Sequence, residues 1–124
     1  MPKTKRRLAR ETALKELYRL EYDPEGKSLV RREYARQLID GVRERHAEFD
    51  KMIKARLKKE WPFSRIALID VLIMRIAIFE ITVMAEMDAA VAINEALEMV
   101  RDFSEEGSVA FVNGVLDSVA KEAK

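Results

Sequence analysis

No cysteine occurs anywhere in the 124 residues, which excludes disulfide bridges and thiolate metal sites. Histidine occurs once, as His46, in the stretch Arg43-Glu44-Arg45-His46-Ala47-Glu48. With no serine or cysteine beside it, it reads as a solvent-facing side chain rather than a general base. Neither GxGxxG nor a GxxxxGK loop is present, so there is no glycine-rich phosphate cradle. Carboxylates are plentiful, but Glu95 and Glu98 simply sit three apart on an amphipathic helix, without the histidines a metal site would add. These absences predict a protein that is not an enzyme and carries no cofactor. Long apolar runs are missing too: Asp70, Arg75 and Glu80 interrupt residues 66–85, which favours a buried core helix over a membrane span. The first residues are basic and contain no apolar stretch of the signal-peptide kind, so the expected location is cytoplasmic.

Three prolines and four glycines leave few breakpoints, and the segments between them have helical periodicity. A first helix is expected from Thr4, as N-cap, to Tyr22, ended by Asp23-Pro24-Glu25-Gly26. Ser28 is expected to cap a long second helix whose stripe is Tyr34, Leu38, Val42, Phe49, Ile53 and Leu57. Gly41 inside it either permits close packing or is a weak point of about 1 kcal/mol. After Trp61-Pro62-Phe63-Ser64 and a short turn at 65–69, Asp70 is expected to cap a helix over 71–84. That helix is apolar nearly all round and must be the centre about which the others pack. Asp88 should cap a helix over 89–103. In the last helix, Val112, Val115, Leu116 and Val119 define one buried face. At this length the chain is one domain, residues 1–124, with an all-α bundle architecture.

Charge is unevenly placed behind a net value of +1. Residues 1–19 hold seven Lys/Arg against two Glu, whereas residues 70–117 hold ten acidic residues against Arg75 and Arg101. Such a molecule suits a polyanion at one end and a basic partner at the other. Lys5 adds to the basic cluster of Lys3, Arg6, Arg7 and Arg10, and the last four stand at i, i+3, i+4 and i+7. They are therefore expected to project from one side of the first helix. Guanidinium groups at that spacing suit phosphate oxygens. An aromatic beside them, here Tyr18, can stack an unpaired base or belong to the core.

Several strings resemble the NusB family of bacterial transcription antitermination factors. Arg6-Arg7-Leu8-Ala9-Arg10-Glu11, with Ala13-Leu14 and Leu17-Tyr18, is similar to that family's arginine-rich first helix. Leu38-Ile39-Asp40-Gly41-Val42 and the run from Leu72 to Glu80 fit its second and central helices. The most specific strings are Ala92-Ile93-Asn94-Glu95-Ala96-Leu97-Glu98 and Phe111-Val112-Asn113-Gly114-Val115-Leu116-Asp117. The resemblance implies two packed helical subdomains and no enzymatic activity. It also implies binding of boxA-type RNA jointly with NusE, a ribosomal small-subunit protein, within the RNA polymerase antitermination complex on ribosomal RNA operons. The family's RNA contacts fall on Arg6, Arg7, Arg10, Tyr18 and the region of Phe111, and Asp70 occupies the place of an acidic residue near the partner surface. NusE being basic, Glu80 and Glu95 are the candidate partner contacts on the acidic half. The chain departs from the family pattern at Ala90 and Ala110, where lysines are usual, and the second change removes a phosphate contact. A rival reading is a homodimeric interaction module whose basic surface is occluded. A third, the RNA-binding domain of an RNA methyltransferase, would need a catalytic domain for which 124 residues are expected to leave no room.

Overall fold

The computed structural model describes residues 3–84 and 86–123, and these residues form five α-helices and two short 3-10 turns, with no strand. Helix α1 spans Lys5–Glu21, α2 Glu33–Lys54, α3 Leu68–Thr82, α4 Ala89–Phe103 and α5 Val109–Glu122. Helices α1 and α2 pack on each other and on α3, and so do α4 and α5. Two three-helix units therefore share α3. That position explains its composition: every residue from Asp70 to Glu80 is buried, so an amphipathic helix would not serve there. No helix among the described residues is long and apolar enough to cross a membrane.

Thr4 caps α1 as expected, its Oγ1 accepting from Arg7 N at 3.0 Å. The helix buries Ala9, Ala13, Leu14, Leu17 and Leu20, and ends before a turn closed by Gly26 N donating to Asp23 O at 2.9 Å. Asp88 likewise caps α4, accepting from Ala90 N at 2.9 Å. In α5, Val112, Val115, Leu116 and Val119 are all buried, the face expected from their spacing.

Two expected caps are not formed. Helix α2 starts at Glu33 with Arg32 as N-cap, and Ser28 lies four residues further back in an irregular segment. The Ser28 hydroxyl donates to Glu16 Oε2 and accepts from Val30 N. Arginines hold this segment open: Arg19 donates to Lys27 O at 3.2 Å and Arg36 to Ser28 O at 3.0 Å. Helix α3 begins at Leu68, with Val71 N bonded to Ala67 O, so Asp70 lies inside its first turn rather than before it.

Gly41 settles as a packing residue. Phe79 of α3 lies against it, and a Cβ built on Gly41 would fall 2.6 Å from Phe79 Cδ1 and nearer to Cε1 and Cζ. The Phe79 ring in turn meets Phe49 edge-on, with centroids 6.5 Å apart. The missing side chain is what lets α2 and α3 approach here.

Candidate nucleic-acid interface

The basic residues of α1 do not share one fate. Arg10 stands three and four residues before the core residues Ala13 and Leu14, so it shares their face of the helix. Its guanidinium turns inward between α1 and α3. It is 2% exposed, and Glu80, its partner on α3, is 1% exposed. Arg10 Nε donates to the two carboxylate oxygens of Glu80 at 3.1 and 2.9 Å, and Nη1 reaches Glu95 Oε1 at 3.4 Å. The Tyr34 hydroxyl of α2 donates to Glu80 Oε2. Four helices thus meet at two carboxylates. Burial pushes the Glu80 carboxyl up, against the opposing pull of Arg10 and Tyr34. Burial and the hydrogen bond to Glu80 push the Tyr34 phenol up as well, so it remains a donor.

Arg7 is half-buried and makes a bidentate pair with Glu95 of α4, Nε to Oε1 at 2.8 Å and Nη2 to Oε2 at 2.6 Å. That hydrogen bonding holds the Glu95 carboxyl below its ordinary range. A depressed folded-state value means the pair's contribution to stability is complete above the ordinary carboxylate range. It is lost as pH falls through the depressed value. Lys3 pairs with Glu11, Nζ to Oε2 at 2.7 Å.

Lys5 and Arg6 are left facing solvent on this surface, with the exposed Arg32 beside them at the start of α2. Arg6 lies over the Tyr34 ring, its Cζ 4.7 Å from the centroid, so the ring that seals the buried network also carries an exposed guanidinium. Tyr18 does not enter the core: it is 39% exposed and pairs with Tyr22 at 5.5 Å between centroids.

These placements correct three expectations. The four cations at i, i+3, i+4 and i+7 do not all project into solvent, because Arg10 is committed to Glu80 and Arg7 to Glu95. Glu80 cannot meet a partner's side chain from inside the bundle, and Glu95 is spent largely on Arg7 and Arg10. Asp70 is buried within the first turn of α3, with its Oδ1 lacking a hydrogen-bond partner. The carboxylates that do face solvent in the acidic half include Glu86, Asp88, Asp102, Glu105, Glu106 and Asp117.

Phe111 is half-buried at the start of α5 and packs on the core with one side. It also lines a cleft of ≈ 400 Å³ with Arg56, Leu57, Lys58, Glu60 and Trp61. In the sequence Trp61 marks only a breakpoint. The signal that could have found it is a tryptophan directly after Lys58-Lys59-Glu60. His46 is exposed, with Nδ1 3.0 Å from Arg43 O. Among the described residues no cluster of His, Asp and Glu could hold a metal ion.

The sequence model of the NusB family matches residues 5–121. The transcription antitermination protein NusB of Enterococcus faecalis is 40% identical over 111 residues, covering 85% of this chain and 71% of that protein. The protein of the same name from Desulforamulus reducens is 40% identical over 124 residues, covering 90% and 86% respectively. A solved structure of T. maritima NusB has a TM-score of 0.84 to this fold at 29% identity, covering 98% of this chain and 94% of that one.

Proposed function

The chain belongs to the NusB family of transcription antitermination factors, and from that premise we propose that it binds boxA-type single-stranded RNA together with NusE during ribosomal RNA transcription. The observation that carries the RNA part is the clamped first helix. Arg7 and Arg10 tie it to α3 and α4, so Lys5 and Arg6 are presented on a rigid support beside Tyr34. Pre-positioned cations lose little freedom on meeting phosphates, and neighbouring aromatic faces suit unpaired bases. Tyr18 and Phe111 are the proposed stacking residues. NusE, being basic, would be steered by the exposed carboxylates of the acidic half, with Glu95 and Asp70 supporting that surface from beneath rather than meeting the partner.

The test is binding of a short boxA-type RNA against a scrambled control, with and without NusE, over a salt series. Removing Lys5 and Arg6 together by alanine substitution should weaken binding. The log–log salt slope should become shallower by about 1.4 units, two phosphate contacts on a single strand. Unchanged affinity and slope would remove α1 from the RNA surface. Including Arg10 in that variant would confuse binding with folding, because its partner is buried.

Phe111→Ala separates stacking from packing. Loss of a stacked base should cost about 1–3 kcal/mol in RNA binding, with a smaller fall in thermal stability. A large stability loss with normal RNA affinity would assign Phe111 to the core alone.

One feature favours the homodimeric alternative: Leu8 is 39% exposed within the basic surface, in a cleft it shares with Lys5, Ala9, Arg32 and Tyr34. A self-dimer across that cleft would cover Lys5, and equilibrium sedimentation with and without RNA distinguishes the two.

A further inference from the structure

Residues 51–65 form a second basic stretch. They hold Lys51, Lys54, Arg56, Lys58, Lys59 and Arg65 against one carboxylate, Glu60, and include Trp61 and Phe63. Of the six cations of α1, Arg7, Arg10 and Arg19 are paired with carboxylates of their own protein, whereas in this stretch only Arg56 is. Among the described residues Lys51, Lys58, Lys59 and Arg65 enter no salt bridge. Arg56 is the exception: it donates to Ser118 Oγ at 2.9 Å and Met52 O at 2.7 Å, and pairs with Glu122. It thereby fixes the end of α2 to α5 and sets the floor of the cleft that Trp61 and Phe111 line. Lys54 lies over Phe63, Nζ 4.9 Å from the ring centroid.

Trp61 is 51% exposed. A large indole left half in water, on a cleft whose other apolar walls are Leu57 and Phe111, has a face available to a planar ligand. Lys58 lines this cleft and Lys59 follows it in the chain, both exposed and outside any salt bridge among the described residues, and they supply charge of the sign that phosphates require. We propose that this cleft is a second nucleotide subsite, in which an unpaired RNA base lies against Trp61 and its phosphates meet Lys58 and Lys59. An acidic peptide would use the lysines but would leave both aromatic faces without a planar partner. Single-stranded RNA uses both. The inference rests on the RNA reading above and extends the bound strand from α1 to the junction of α2 and α5.

Trp61 is the sole tryptophan in the chain, so its emission reports this cleft directly. The intact protein is titrated with a labelled boxA-type RNA carrying a single-stranded flank, reading RNA anisotropy and Trp61 emission together. The expected result is saturable quenching at the same midpoint as the anisotropy change. Trp61→Ala should weaken binding about tenfold, the scale of one lost stack, and Trp61→Phe should restore most of it. Removing both Lys58 and Lys59 by alanine substitution should flatten the salt slope by about 1.4 units, with unchanged thermal melting in all three variants. If emission and affinity stay constant while loss of Lys5 and Arg6 still weakens binding, the strand does not reach this cleft and the subsite is overturned. If the wild type binds no RNA with or without NusE, the functional reading itself fails and takes the subsite with it. Equal quenching by poly-glutamate would assign the cleft to an acidic protein instead.

Discussion

Glu80→Ala is expected to destabilise the fold by about 3–5 kcal/mol, the cost of removing the main partner of a buried charge and leaving it only the 3.4 Å contact to Glu95. A guanidinium stays charged in any ordinary buffer, and at 2% exposure Arg10 has no water to replace the carboxylate. Tyr34 loses its acceptor at the same time. Glu80→Gln separates charge from shape: it fills the same space and can still accept from Tyr34, so a loss nearly as large would identify the missing charge as the cause. Replacing both partners with apolar residues of similar size, Arg10→Met with Glu80→Leu, should recover most of the stability. Urea unfolding of the four proteins at one pH makes the comparison, and an alanine variant within about 1 kcal/mol of wild type would show that water enters the network. The same experiment bears on function. A double variant that is stable but no longer tethers α1 through Glu80 should bind RNA more weakly than wild type, with Lys5 and Arg6 still in place.

Gly41→Ala should cost about 1–3 kcal/mol, the range for forcing extra volume into a packed core. The usual gain from replacing a helical glycine with alanine, about 1 kcal/mol, works in the opposite direction and is outweighed. The new methyl would overlap the Phe79 ring, which is held edge-on by Phe49 and cannot swing aside as an exposed side chain would. Phe79→Leu should relieve part of the overlap, so the two changes together should cost less than their sum. Thermal unfolding of the single and double variants reads this directly. A stabilised Gly41→Ala protein would mean that α2 and α3 slide apart freely at this point.

Much of the fold was legible because its signals are local. Thr4 and Asp88 each precede a helix they cap, the turn at Asp23–Gly26 contains a proline, and the last helix carries four apolar residues at one helical spacing. Ser28 and Asp70 have the same cap chemistry and do not cap. Both are outcompeted by contacts the local sequence cannot show: Ser28 by Glu16 of α1 and by arginines that bond its segment's carbonyls, Asp70 by a helix that begins earlier, at Leu68. The candidate site was legible in its residue types and less so in their roles. Tyr18 is exposed and Phe111 half-buried, whereas Trp61 reads only as a breakpoint in the sequence because its cleft forms only when α5 packs beside it.

Five helices, a central one apolar nearly all round, and the family to which the chain belongs are readable from the residues alone, since periodicity, breakers and ordered strings need no knowledge of what packs on what. Which charges belong to solvent is settled instead by how the helices pack. Arg10 and Glu80 are 70 positions apart, and Arg7 and Glu95 are 88 apart. Helical spacing places an arginine at the edge of a face but is silent on whether a carboxylate waits there. Burying an ion is unfavourable unless such a partner is already in position, and only the packing of α1 on α3 and α4 puts it there.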